Sequence, residues 1–171
     1  LDIEQWSCGK NWFWRGLILL FFLFLFFKFS KDSNYCCIFS AINLGVHELG
    51  HILFGFFGEF IGILGGTIAQ IFFPIGVMVG FYFQRDYFAI CFGFGWLATS
   101  FYGVANYVAD ARTQRLPLVS PFGQEGIVHD WGFILGKLGL LQFDIQIANF
   151  FKFLGICSFL ICLQIYIVLT S

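Results

Sequence analysis

The sequence predicts an all-α fold: a polytopic transmembrane helix bundle of about five spans with an interfacial segment, forming a single membrane-embedded domain over residues 1–171. Three observations predict it. Of the 171 residues 59% are hydrophobic and only 11% charged, whereas a soluble domain carries about a quarter charged residues. Mean hydropathy is +0.84, and Phe alone supplies 27 residues. The apolar residues gather in runs near the ~20 residues that a spanning helix requires, without the alternation of a barrel strand. Disorder and coiled coil fall with the same numbers. So does nucleic-acid binding, because nine Lys+Arg against ten Asp+Glu leave a net charge of −1 and no footprint for phosphates.

The first span is expected from about Trp12 to Phe29, with an uninterrupted apolar core from Gly16 to Phe27. Arg15 and Lys28 would snorkel to the two interfaces. A secretory signal peptide is the rival reading, but no small-residue cleavage site follows Phe29. The second span runs from about Tyr35 to Phe57 and the third from about Phe60 to Phe83, with Gly58 and Glu59 as a tight junction. Gln84, Arg85 and Asp86 close the third span, and the fourth continues from Tyr87 to about Val108. A polar stretch from Asp110 to Asp130 holds Pro117 and Pro121. Trp131 to Leu141 is too short to span and is placed at the interface. The last helix runs from about Ile145 to Leu169.

Five consecutive crossings would put the amino terminus, the second-to-third junction and the long polar stretch on one side. That side would collect Lys10, Arg15, Arg112, Arg115 and Lys137, against Lys28, Lys31 and Arg85 on the other. The positive-inside rule then places the long loop in the cytoplasm. Of the six cysteines, Cys36, Cys37, Cys91, Cys157 and Cys162 lie in apolar runs and only Cys8 in a polar context. None is spaced for zinc, so they read as small buried hydrophobes.

One string carries chemistry: His47-Glu48-Leu49-Gly50-His51, inside the second span. An HExxH on a helix sets two imidazoles one turn apart on one face, where both can bind one Zn²⁺, with the Glu as general base. Composition predicts a chance match on the order of once in a thousand such chains. Ionisable groups in a bilayer cost about 2.5–3.5 kcal/mol each on insertion scales, so this face must point into the bundle.

A catalytic zinc takes three protein ligands and leaves a fourth position for water. His129 is the first choice for the third ligand, being the remaining histidine, with Asp130 and Asp110 as alternatives. Asn43, His47 and His51 share one helical stripe, and Thr99, Gly103, Asn106 and Asp110 form another. Gln70 stands above Thr67 and one turn before Pro74, whose kink is expected to open space around the site. Asn43, Gln70 and Asn106 either steer the ligands by hydrogen bonds or tie helices together. Gly55, Gly58, Gly62, Gly65 and Gly66 read as close helix packing.

On His47, Glu48 and His51, with Gly50 before the second histidine, the chain resembles the site-2-protease-like membrane metalloproteases. Their hallmark is an HExxH within a transmembrane helix and an aspartate from a later helix as third ligand. A wider set of strings resembles a poorly characterised group of small bacterial membrane proteins in that superfamily. These are His47 to His51, Gly65-Gly66-Thr67 with Gln70 and Pro74, Asp110-Ala111-Arg112, Leu116-Pro117-Leu118, and His129-Asp130-Trp131. The resemblance implies that the loop bearing His129 and Asp130 belongs to the site.

The function expected is a zinc-dependent intramembrane hydrolase, a metallopeptidase, with Glu48 as catalytic base and Zn²⁺ as cofactor. The alternative is a non-catalytic membrane subunit of a larger assembly that keeps a structural zinc or polar site. A third reading is a metal or proton conduit through His47, Glu48, His51 and Asp110. The expected partners are the lipid bilayer, a membrane-protein or peptide substrate and, on the alternative reading, a larger membrane complex.

Overall fold

The computed structural model describes residues 6–32, 34–117 and 128–171. Leu118 and Pro121, assigned above to the polar stretch, lie outside the described residues. Among those described there is no strand. Among the described residues, six α-helices follow in order between Trp12 and Thr170: α1 Trp12–Lys31, α2 Ile38–Phe54, α3 Glu59–Phe83, α4 Tyr87–Ala109, α5 Asp130–Lys137 and α6 Asp144–Thr170. Four segments are long and apolar enough to cross a membrane: α1, α3, α4 and the run Leu141–Thr170 that contains α6. The expected second span falls short, because α2 has 17 residues and reaches only about 25 Å at 1.5 Å per residue.

Polar side chains set the helix ends. Asn11 caps α1 by accepting from the Phe13 amide at 3.0 Å, and Asp86 caps α4 by accepting from Ala89 at 3.1 Å. Each thereby satisfies an amide that the helix leaves free. Ser40 accepts from the Cys37 amide at 3.0 Å at the start of α2. Gly58, with φ +96, turns the chain from α2 into α3 through a conformation that side chains with a Cβ rarely adopt. Pro74 lies inside α3 and offers no N–H to the Gln70 carbonyl one turn back.

The helix directions overturn the expected order of crossings. Phe29 stacks on Tyr102 with centroids 5.2 Å apart, Phe22 meets Phe92 at 5.3 Å, and the Arg15 guanidinium lies 5.3 Å from the Phe88 ring. α1 therefore runs parallel to α4. α2 does too: Phe39 meets Phe92 at 5.9 Å, Asn43 accepts from Trp96 at 2.8 Å, and the His47 ring lies 5.9 Å from Tyr107.

Two consecutive helices can share a direction only if the link between them doubles back. After Lys31 the chain leaves the helix in extended conformation, with Asp32 at φ −137, ψ 106 and Cys37 at φ −131, ψ 177. Tyr35 packs on Phe29 at 5.8 Å and on Phe24 at 6.3 Å, so the link returns along α1. α2 thus begins level with Phe92 and Trp96, inside the bundle, and not at its edge.

The start of α1 and the end of α6 consequently lie together, with Trp12 6.0 Å from Tyr166, at the end of the bundle that holds Arg85. The opposite, loop end gathers Lys28, Lys31, Arg112, Arg115 and Lys137, against Lys10, Arg15 and Arg85. The cation bias still favours the loop end, with Lys28 and Lys31 replacing Lys10 and Arg15. At the loop end α5 buries Trp131, Ile134 and Leu135 against Val104, Val108 and Ala148. The Arg112 Nε donates to Asp144 at 2.7 Å and fixes the start of the loop to the start of α6.

Candidate metal centre

α2 and α3 approach through glycine. A Cβ on Gly50 would fall 2.3 Å from the Gly65 carbonyl oxygen, so no larger residue fits without parting the helices. That closeness brings the side chains of α2 against the backbone of α3. His47 is buried and His51 half-buried on the same face, as the i, i+4 spacing requires.

Both imidazoles turn Nε2 toward one carboxylate. The Asp130 Oδ2 lies 2.8 Å from His47 Nε2 and 3.2 Å from His51 Nε2. The three ligand atoms all fall within 4.8 Å of one another, the one group of three or more such residues among the described residues. The other ring nitrogens are committed. His51 Nδ1 lies 2.9 Å from the Gly62 carbonyl oxygen, which can only accept, so Nδ1 carries the proton. His47 Nδ1 lies 3.1 Å from Gln70 Oε1. Gln70 is itself oriented by its amide nitrogen, which donates to the Ser100 carbonyl at 3.2 Å.

This arrangement fixes the tautomers. With Nδ1 protonated on both rings, each Nε2 presents a lone pair toward an acceptor-only carboxylate. Three acceptors so close repel one another unless a positive charge, a proton or a metal ion, lies among them. Two neutral imidazoles and one carboxylate form a donor set that zinc accepts, and they leave a fourth position open. Gly66 supplies the space: a Cβ there would stand 2.6 Å from His47 Nε2 and 2.7 Å from His51 Nε2. The residues present fit a metal ion.

Asp130, and not His129, joins the two imidazoles. The two residues are neighbours at the start of α5, where successive side chains diverge by about 100°. His129 caps that helix, its Nδ1 accepting from the Gly132 amide at 3.1 Å. Its Nε2 lies 3.4 Å from Asp110 Oδ2. Burial pushes the His129 imidazole below its ordinary pKa, against the pull of Asp110 and Asp130.

Asp110 also stays out of the cluster. It accepts from Thr113, from the Arg115 amide at 3.0 Å and from the Leu116 amide at 2.9 Å, which shapes the start of the loop. Burial would raise its pKa, but these bonds and His129 outweigh burial and hold the carboxyl below its ordinary value.

Asn43 ties helices together and does not reach the imidazoles. Its Nδ2 donates to Thr99 at 3.3 Å, and its Oδ1 accepts from Trp96 at 2.8 Å and Ser100 at 3.2 Å. Gln70 holds His47 directly. Asn106 and Glu48 line a cavity of about 780 Å³ together with His47, His51, Tyr107 and Asp130.

Tyr107 was missed in the sequence. Its hydroxyl accepts from the Asp130 amide at 3.1 Å and its ring packs 4.4 Å from His129, so it seats the start of α5. The signal available was its place one residue after Asn106, beside the polar stripe, but aromatic residues are too frequent here to single it out. No protein-family model matches the chain, and no curated protein or solved structure is significantly similar to it.

Proposed function

We propose that the chain is a multi-pass integral membrane, zinc-dependent hydrolase of the metallopeptidase class. His47, His51 and Asp130 hold the metal, and Glu48 is the general base. The observation that carries this reading is the convergence of two tautomer-fixed imidazoles and one carboxylate beside Glu48, on the wall of a cavity. Bound there, zinc would polarise a scissile carbonyl and lower the pKa of water at its open position toward ~7.

The remaining work belongs to the chain. Gln70 and the Gly62 carbonyl hold the Nδ1 protons and so aim both Nε2 atoms at the shared space. Tyr107 and the start of α5 place Asp130. Glu48, half-buried on the cavity wall, takes a proton from the attacking water and delivers it to the leaving amine. Three protein ligands with a cavity beside them favour a hydrolase over a structural site, which four protein ligands would close.

Metal analysis of the purified full chain tests the site. One zinc per chain is expected in the wild type and none in His47→Ala or Asp130→Ala; equal zinc in all three would overturn the site. Glu48→Gln keeps size and hydrogen bonding but removes the base. Zinc should stay bound while hydrolysis of peptides co-reconstituted in vesicles falls by about 10²–10⁴-fold. Unchanged turnover in that variant would end the hydrolase reading and leave the metal site standing.

A further inference from the structure

Far from the metal centre, two thiols meet between α4 and α6. Cys91 Sγ lies 3.5 Å from Cys162 Sγ and 3.1 Å from the Cys162 carbonyl oxygen. Both residues are buried, at 3% and 0% exposure. The helices that carry them are held close on the same seam: Ser158 donates to the Phe94 carbonyl at 2.8 Å, and a Cβ on Gly155 would sit 3.2 Å from the Tyr102 ring. The two sulfurs therefore face each other across a packed contact, and among the described residues no third ligand makes a metal site of them.

We propose that Cys91 and Cys162 are joined as a disulfide in the assembled protein. A disulfide bond of about 2.03–2.05 Å requires the sulfurs to approach by about 1.5 Å from where they now stand. Location is the second argument. Cys91 is one turn from the start of α4 and Cys162 two turns from the end of α6. Both lie toward the end of the bundle opposite the long loop. The cations gather at the loop end, which turns the cysteine end away from the cytoplasm. Disulfides persist in the oxidising compartments found on that side.

The chemistry balances as thiol–disulfide exchange. The Cys91 and Cys162 S–H bonds break and one S–S bond forms. The two protons and two electrons pass to the disulfide of a thiol oxidase, which leaves as a dithiol. Exchange takes place while the helices assemble, before their contact seals the sulfurs from a protein donor. The product ties α6 to the helix whose Trp96, Thr99 and Ser100 hold Asn43 of the HExxH helix.

The test uses the full chain in membranes of a bacterial host with an oxidising periplasm. Membranes are quenched in acid and denatured in SDS with N-ethylmaleimide; a second maleimide is added after reduction. Mass spectrometry should find the second label on Cys91 and Cys162, and unreduced digests should contain their two peptides linked. Cys91→Ser should move Cys162 into the first-label pool. First label on both cysteines of the wild type would overturn the proposal, whatever the variant does. So would a Cys162 that remains blocked in Cys91→Ser, because its partner would then be another thiol.

Discussion

Gly66 of α3 stands so near His51 of α2 that a methyl group on it would fall 2.7 Å from His51 Nε2, and 2.6 Å from His47 Nε2. The hydrogen on Gly66 Cα thus forms one wall of the space that the two imidazoles share. A residue with no chemistry of its own decides whether anything else fits there.

Gly66→Ala should accordingly separate folding from metal binding. Alanine favours a helix over glycine by about 1 kcal/mol, so helicity should be retained. The added methyl occupies the space in front of both Nε2 atoms, and zinc affinity should fall by at least about tenfold. Isothermal titration beside circular dichroism checks both halves; a variant that binds zinc like the wild type would remove Gly66 from the site.

Asp130→Ala and His129→Asn should differ sharply although the residues are adjacent. Asp130→Ala removes the one carboxylate facing the imidazoles and should abolish zinc binding. Asparagine at 129 is a good helix cap, so His129→Asn should keep zinc stoichiometry near one per chain. Loss of zinc in His129→Asn would restore that histidine as a ligand.

His129 also predicts a pH effect on the stability of the metal-free protein. Its folded pKa lies below the ordinary value of 6.5, burial being the main cause. The unfolded chain therefore takes up a proton before the folded one does. The contribution of His129 is full above pH 6.5 and is lost as pH falls toward the depressed folded value. Melting temperatures of chelator-treated wild type, compared with His129→Asn, should diverge on acidification below pH 6.5 and run parallel above it.

Gln70 is predicted to act through His47. Gln70→Leu leaves His47 Nδ1 without its acceptor and should weaken zinc binding by about 10–100-fold, the usual cost of losing such a partner. Gln70→Glu keeps an acceptor for His47 but gives up the donor to the Ser100 carbonyl, so it should recover part of that loss. Equal affinity in both variants would reduce Gln70 to a link between α3 and α4.

The composition dictated helices, and the HExxH spacing located the imidazole pair, because both follow from local periodicity. Gln70 was legible for the same reason, being a polar residue in an apolar helix that needs a partner. The choice between His129 and Asp130 was not legible. Both are good ligands, and the helix that begins between them decides which side chain turns inward. Chain direction was hidden too. Hydropathy registers that residues 12–29 and 35–57 are apolar, but not that Tyr35 lies back against Phe29 and Phe24 of α1. Asn43 had equal claims to the metal site and to the helix contact, and only Trp96 and Ser100 from α4 settled it.

The doubling back of the chain before α2 has a consequence for biosynthesis. A helix that starts level with Phe92 cannot be handed to the bilayer as an independent crossing while it leaves the ribosome. Its anchors, Trp96 and Ser100, are made some fifty residues after Asn43, and Asp130 later still. The HExxH helix gains these partners only after α4 has been made, and its two imidazoles meet their carboxylate only when α5 has been translated. The three groups are thus brought together late in synthesis, after most of the walls around them exist.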